Sequence, residues 1–135
     1  ILLPHIPREA AAKRIDMVIG VVEGDVHDIG KNIVKTMFTA AGFNVHDVGR
    51  DVPAEDFVEA SKANNAQLVA MSTLMTPTMD SMKAAVDALV EEGIRSQLKI
   101  IIGGAPTSQE FADEIGADMH AINAQEGVAK AKEAL

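Results

Sequence analysis

Short apolar runs alternate with amphipathic helical patterns along most of the chain. The runs at residues 17–22, 43–48, 67–72, 98–102 and 117–121 are too short for helices, and several are rich in β-branched residues, which favours buried strands. Apolar residues in the segments between them recur every three or four positions, as on one face of a helix. Five strands, each followed by a helix, predict an α/β domain with a parallel sheet covered on both faces.

Several residues typical of helix ends support these boundaries. Asp28 is a candidate N-cap and Gly42 a candidate stop for the first helix, and Pro53 is placed to open a second helix that runs to about residue 63. The dipeptide Thr76-Pro77 predicts the start of the third helix. Thr107-Ser108-Gln109-Glu110 has the form of a capping box for the fourth, and the fifth spans residues 124–135.

The common order for five such units is 2-1-3-4-5, the flavodoxin-like (Rossmann-like) doubly wound arrangement. In that order strands 1 and 3 are neighbours whose connections leave in opposite directions, and ligands bind beyond their carboxyl ends. The loops that follow these two strands carry polar residues that would meet in one crevice: Asp25, His27, Ser72, Thr76 and Thr78.

Composition narrows the possible partners. Asp plus Glu number 20 and Lys plus Arg 12, so the net charge is −8 and binding to nucleic acid is not favoured. The absence of cysteine excludes disulfides and thiolate metal sites. No apolar run has the length of a membrane span and no signal peptide is recognisable, so we predict a cytoplasmic protein without a membrane partner. Residues 1–15 have the composition of a linker, and 16–135 form the predicted domain.

The segment after the first strand, EGDVHDIGK at residues 23–31, is the main candidate for chemistry. The G-x-G-x-x-G fingerprint of dinucleotide binding is absent, and the spacing of Gly24 and Gly30 does not fit a Walker loop. Ser72 occupies the position where a phosphorelay receiver needs an aspartate. HDIGK also occurs in metal-dependent phosphohydrolases, but such sites need several further His and Asp ligands, which His5, His46 and His120 do not supply by their spacing.

A single histidine is too few for a protein-built zinc site, which takes three or four protein ligands. It suffices when the metal arrives in a macrocycle that fills four positions. The motif Asp25-x-His27-x-x-Gly30, followed by Ser72-x-Leu74 and by Gly103-Gly104, resembles the signature of cobalamin-binding domains. The longer run GDVHDIGKNIV is similar to the corrinoid modules of methionine synthase and of methanol, methylamine and aryl-ether methyltransferase systems.

The resemblance implies cobalamin, bound base-off, as the cofactor and His27 as the lower ligand of its cobalt. It implies that Asp25 accepts the other ring N–H of His27, and that Thr78 supplies the hydroxyl that completes a proton relay. Gly30, Gly103 and Gly104 would make room for the nucleotide tail, while Ser72 and Thr76 would bind the tail base or the corrin edge. The remaining implied contacts are Gly24, Val26, Asp28, Ile29, Leu74, His120 and Ala124, although the family often has an aromatic residue where His120 stands.

The function implied by the resemblance is that of a corrinoid carrier with little activity of its own. It would pass a methyl group between a methyl-donor and a methyl-acceptor methyltransferase, with a reductive activase as a further partner. Residues 1–15 would then be the linker from an N-terminal helical domain that caps the corrin. Two alternatives stay open at this point: the small subunit of an adenosylcobalamin-dependent mutase, and a cobalamin sensor module.

Overall fold

The computed structural model describes residues 15–135. Nearly all of the predicted linker at residues 1–15 therefore lies outside the described residues. Within residues 15–135, five strands alternate with five α-helices. The strands are β1 (Asp16–Val22), β2 (Asn44–Val52), β3 (Leu68–Ser72), β4 (Lys99–Gly103) and β5 (Met119–Ala121). The helices are α1 (Ile29–Ala40), α2 (Ala54–Ala63), α3 (Met79–Glu91), α4 (Gln109–Ile115) and α5 (Ala124–Ala134).

All strand pairs are parallel, and the sheet order is β2-β1-β3-β4-β5. This confirms the predicted fold class and strand order. β1 and β3 lie side by side in regular register, with Met17 opposite Leu68 and Val21 opposite Ser72. Since both strands point the same way, the loops that follow Val22 and Ser72 emerge at one edge of the sheet. That edge is the predicted ligand crevice.

Two apolar layers cover the two faces of the sheet. One layer packs α2, α3 and α4 against the sheet around Phe57, Met82 and Ile115. The other layer packs α1 and α5 around Phe38, where the ring of Phe43 meets the ring of Phe38 edge to face at 4.9 Å. Helices therefore cover both faces of the sheet, as in a doubly wound domain. In the part of the chain that the structure covers, no helix has the length and apolarity needed to cross a bilayer.

The helix boundaries differ from the prediction at two sites. Thr76, predicted to start the third helix, instead begins a single 3-10 turn (Thr76–Thr78), and α3 itself begins at Met79. The N-cap of α4 is Ser108, whose hydroxyl accepts the N–H of Phe111, so the predicted capping box begins one residue too early. The Thr107 hydroxyl instead donates to the Gly104 carbonyl at 2.6 Å, which ties it to the preceding turn.

Candidate functional site

A groove of about 590 Å³ opens at the carboxyl edge of the sheet and runs between α1 and α5. Its floor is apolar and belongs to the sheet layer beneath these helices. At Gly30, an added Cβ would meet nothing within 4 Å, so the groove is open beside this residue. The lining includes Ile19, Ile33, Val34, Phe38, Ala70, Ser72, Leu74, Ile101, Gly103, Gly104, Thr107, His120, Ile122, Asn123, Ala124 and Gly127.

Large apolar side chains stand exposed around the mouth of this groove. Ile29 is 78% exposed and Ile122 is 79% exposed, and Val26 and Leu74 are each about half exposed. Apolar side chains this exposed, gathered at the edge of an apolar groove, are typical of a binding surface. The rim would bury them against a large flat or apolar ligand.

His27 stands at this mouth, in the loop that follows β1. Its Nδ1 lies 2.7 Å from Oδ1 of Asp25 and its side chain is 52% exposed. An ionised carboxylate can only accept hydrogen bonds, so Nδ1 carries the ring proton and a neutral ring bears its lone pair on Nε2. Nε2 has no hydrogen-bond partner within residues 15–135, so the structure presents a free nitrogen donor to whatever enters the groove.

Asp25 is completely buried, and four donors fill its two carboxylate oxygens. Oδ1 accepts the backbone N–H of His27 at 2.9 Å and its ring Nδ1–H at 2.7 Å. Oδ2 accepts the Thr73 hydroxyl at 2.8 Å and the backbone N–H of Leu74 at 2.7 Å. Burial alone would raise the pKa of Asp25, but these hydrogen bonds outweigh it and lower the pKa to about 2. Asp25 is therefore a fixed anion that sets the tautomer and the orientation of His27.

The end of β2 holds the loop that carries these two residues. The backbone N–H of Gly24, which has φ +92, donates to Oδ1 of Asp51 at 2.7 Å. The N–H of Asp51 donates in return to the carbonyl of Asp25 at 2.9 Å, and Asp51 itself adopts a positive φ of 53. Asp51 thus clamps the turn in front of His27 from the neighbouring strand.

The hydroxyl that contacts Asp25 belongs to Thr73, directly after β3. Thr78, predicted to complete the relay, forms a hydrogen bond with the Thr73 hydroxyl and lies 2.9 Å from the Met75 carbonyl. The structure gives no hydrogen bond between Thr78 and Asp25 among the described residues. The sequence motif skipped Thr73 because it stands between the two motif residues Ser72 and Leu74.

Gly104 lies against the backbone of Thr73. It has φ +121, and a Cβ built there would come within 1.7 Å of the Thr73 carbonyl oxygen. The Thr73 N–H donates to the Gly103 carbonyl at 3.2 Å, which holds the two segments together. Gly104 lines the groove, as expected from the sequence, but the contact that requires a glycine there is the one with Thr73.

The side of the groove formed by β5 and the turn after β4 is polar. His120 Nε2 lies 3.0 Å from the Thr107 hydroxyl, and the carbonyl of His120 accepts the Lys130 ammonium at 2.6 Å. Burial, and secondly the charge of Lys130, lower the pKa of His120 below its ordinary value of 6.5. A neutral His120 that hydrogen-bonds Thr107 is a polar wall beside the apolar floor.

The structure therefore distributes the predicted residues over three places. Eight line the groove: His27, Gly30, Ser72, Leu74, Gly103, Gly104, His120 and Ala124. Gly24, Asp25, Val26 and Asp28 build the loop around His27 and Ile29 begins the helix that follows it, while Thr76 and Thr78 lie in the 3-10 turn behind the loop. Sequence reasoning missed Asp51, Thr73, Thr107 and Asn123. The described residues contain no group of three or more His, Asp or Glu side chains placed to hold a metal ion.

Comparison with known proteins identifies a matching family. The family model described as "B12 binding domain" matches residues 15–131. Dimethylamine corrinoid protein 2 of Methanosarcina mazei is 52% identical over 136 residues, which are 100% of this chain and 64% of that protein. Dimethylamine corrinoid protein 3 of the same organism is 51% identical over 96% of this chain and 78% of its own length. The chain thus spans a little under two thirds of the first of these relatives.

Solved structures agree with the sequence relatives. The monomethylamine corrinoid protein of Methanosarcina barkeri has a TM-score of 0.86 and 40% identity, over 99% of this chain and 64% of that one. A cobalamin-binding protein of Desulfitobacterium hafniense has a TM-score of 0.88 and 45% identity, over 91% of this chain and 60% of that one. The chemotaxis protein CheY4 of Vibrio cholerae, at 15% identity and a TM-score of 0.68, shares the fold alone.

Proposed function

The chain belongs to the B12-binding domain family, and we propose that it holds a corrinoid with His27 as the lower axial ligand of the cobalt. The observation that carries the proposal is the Nε2 of His27, which has no hydrogen-bond partner among residues 15–135 and which Asp25 fixes at the mouth of an apolar groove. A lone imidazole is sufficient because the corrin ring supplies the four equatorial nitrogens, as a haem does for iron.

The residues present fit such a cofactor. The exposed apolar rim of Val26, Ile29, Leu74 and Ile122 offers a surface for the flat face of a corrin ring. The groove between α1 and α5, open beside Gly30, offers an apolar channel for the nucleotide tail. In a base-off arrangement His27 would take the place of the tail base on the cobalt.

His27 and Asp25 have separate roles in this proposal. The bound corrinoid supplies a cobalt centre that can accept and donate a methyl group. Asp25 keeps the proton on Nδ1 of His27, so that the lone pair of Nε2 stays available and the ring keeps one orientation. Since four donors already fill the Asp25 carboxylate and lower its pKa to about 2, Asp25 stays ionised while it holds the His27 ring.

We further propose that the protein carries methyl groups between partner methyltransferases. The supporting observations are the dimethylamine corrinoid proteins at 52% identity and a methanol:cobalamin methyltransferase complex from Methanosarcina barkeri, with a TM-score of 0.84 and 33% identity over 52% of that chain. We thus propose that the methyl groups come from methylamine or methanol through the corresponding methyltransferases. A methyl-acceptor methyltransferase, a reductive activase, a cytoplasmic location and an N-terminal helical domain above the corrin belong to the same proposal.

Cobalamin titration of the 135-residue chain tests the ligation. Hydroxocobalamin is added to the wild-type protein, to His27→Ala and to His46→Ala, and the visible absorption spectrum is recorded after removal of free cofactor. His46 is a suitable control because it lies near the amino end of β2 and hydrogen-bonds Asp16 at the start of β1, while the groove opens at the carboxyl edge of the sheet. We expect His27→Ala to change the spectrum and weaken binding, while His46→Ala matches the wild type. Identical spectra for all three proteins would remove His27 from the cobalt.

A further inference from the structure

Thr73 is a buried hydroxyl residue to which neither the motif nor the proposed function gives a role. It is 1% exposed and follows β3 directly, so it stands beside the loop of β1 rather than in the groove. Its hydroxyl lies 2.8 Å from Oδ2 of Asp25, and no other side-chain hydroxyl of the described residues contacts that carboxylate. The remaining three donors to Asp25 come from His27 itself and from the backbone of Leu74.

The direction of the hydrogen bonds follows from the chemistry of the groups. The carboxylate can only accept, so the single hydroxyl proton of Thr73 is committed to Asp25. Thr73 can then only accept from Thr78, whose single hydroxyl proton is shared between the Thr73 hydroxyl and the Met75 carbonyl 2.9 Å away. The Thr73 hydroxyl and the Nδ1–H of His27 therefore donate to the two oxygens of the same carboxylate, and Thr78 contacts the Thr73 hydroxyl from behind.

The backbone of Thr73 is fixed from the opposite side. Gly104 leaves no space for a side chain against the Thr73 carbonyl, and the Thr73 N–H is bonded to Gly103. The backbone of Thr73 therefore stays in place, and its hydroxyl reaches Asp25 from one side of the carboxylate and favours the angle at which Asp25 faces His27.

We propose that Thr73 is a positioning residue, which orients Asp25 and through it the imidazole of His27, and that Thr78 acts one step further away by orienting Thr73. Its importance for the cofactor rests on the proposed function, but the arrangement itself exists in the protein without cofactor. The outer partner of a metal-binding histidine typically contributes about 10- to 100-fold in metal affinity. We expect the smaller end of that range for Thr73, since it acts through Asp25.

The test compares Thr73→Val, which removes the hydroxyl at nearly constant shape, with Thr73→Ser, which keeps it. Thr36→Val is the control, because within the described part of the chain the Thr36 hydroxyl bonds only the Asn32 carbonyl, on the exposed side of α1. The first readout is the imidazole ¹⁵N and Nδ1–H spectrum of His27 in the ¹⁵N-labelled, cofactor-free chain, assigned by its loss in His27→Gln. We expect Thr73→Val to shift the His27 signals away from the Nδ1–H tautomer, and Thr73→Ser and Thr36→Val to match the wild type.

The second readout is the affinity for hydroxocobalamin, which we expect to fall about tenfold in Thr73→Val and to recover in Thr73→Ser. Unchanged His27 signals in folded Thr73→Val overturn the inference. If Thr73→Val does not fold, Thr78→Val is measured instead. It removes the hydroxyl that contacts Thr73, so it should shift the His27 signals in the same direction but by less. No shift in Thr78→Val overturns the inference. The first readout needs no cofactor. The Thr73 inference therefore still stands if His27 does not bind cobalt, and the cobalt proposal still stands if Thr73 does not position His27.

Discussion

Replacing Asp25 by asparagine is the most direct perturbation of the site, because it keeps the shape and removes the charge. In the wild-type protein four donors converge on two carboxylate oxygens. An asparagine side chain offers one oxygen and one NH₂ group. Whichever way it turns, its NH₂ group faces two of the four donors, which then have no acceptor there. Thr73 can rotate its hydroxyl to adapt, but the backbone N–H of Leu74 or of His27 cannot.

The magnitude follows from the hydrogen bonds and from the pKa. Lowering the pKa of Asp25 from 3.8 to about 2 favours the ionised form in the folded state by about 2 kcal/mol. An orphaned buried N–H adds about 1–3 kcal/mol. We therefore expect Asp25→Asn to lower the free energy of unfolding by about 3 kcal/mol near neutral pH.

The loss should also depend on pH in a defined direction. The pKa of Asp25 is depressed in the folded protein, so the stability it contributes is present in full above its ordinary pKa of 3.8 and is lost as the pH falls towards 2. Asparagine does not titrate at this position. The difference in unfolding free energy between the two proteins should thus shrink on acidification, by about 1 kcal/mol at pH 3.

Urea unfolding followed by circular dichroism, at pH 7 and at pH 3, measures this difference. Asp87→Asn is the matched control, because Asp87 forms an exposed ion pair with Lys83 and such pairs contribute less than about 1 kcal/mol. A difference below about 1 kcal/mol for Asp25→Asn at pH 7, or one that grows on acidification, would refute the reasoning. The first result would mean that the four donors do not hold the carboxylate, and the second that its pKa is not lowered.

Two further substitutions test the supports of the site by the same urea measurement. Gly104→Ala places a Cβ 1.7 Å from the Thr73 carbonyl oxygen and should cost about 3 kcal/mol, while Gly42→Ala, which also has positive φ but open space, should cost about 1 kcal/mol; equal costs would disprove the close contact. Lys31→Met removes a buried ammonium 2.9 and 2.8 Å from the two carboxylate oxygens of Asp47, and should cost about 3 kcal/mol. No loss in Lys31→Met would mean that this ion pair between α1 and β2 does not stabilise the domain.

The fold was predictable because its signals are local and repeated. Each apolar run had the length and composition of a buried strand, and sheet order then followed from general rules of crossover connections. The crevice was predictable for the same reason, since adjacent parallel strands bring the His27 loop and the segment after Ser72 to one edge. Helix ends were less certain: Thr107 and Ser108 are both good capping residues, and only the turn geometry selects Ser108.

The inner supports of the site were not predictable from the sequence. Asp51 contacts Gly24 from 27 residues further along the chain, and Thr73 contacts Asp25 from 48 residues further along. No local sequence pattern marks contacts between residues so far apart. A signal for Thr73 was nonetheless present. Side chains alternate along a strand, so if Ser72 faces the groove, the next residue faces the loop of β1. Thr78 matched the expected hydroxyl by position, but the sequence could not show that another hydroxyl lies between it and Asp25.

The groove between α1 and α5 also links cofactor binding to the folding stability of the domain, and so to its lifetime in a cell. Ile33 and Ile122, 56% and 79% exposed, border an apolar channel that no side chain of the described residues fills. Any occupant completes the protein's interior, and its binding free energy adds to folding stability in proportion to the logarithm of its concentration. Cofactor supply would then set protein abundance as well as loading, since chains left empty would open more often and be degraded sooner.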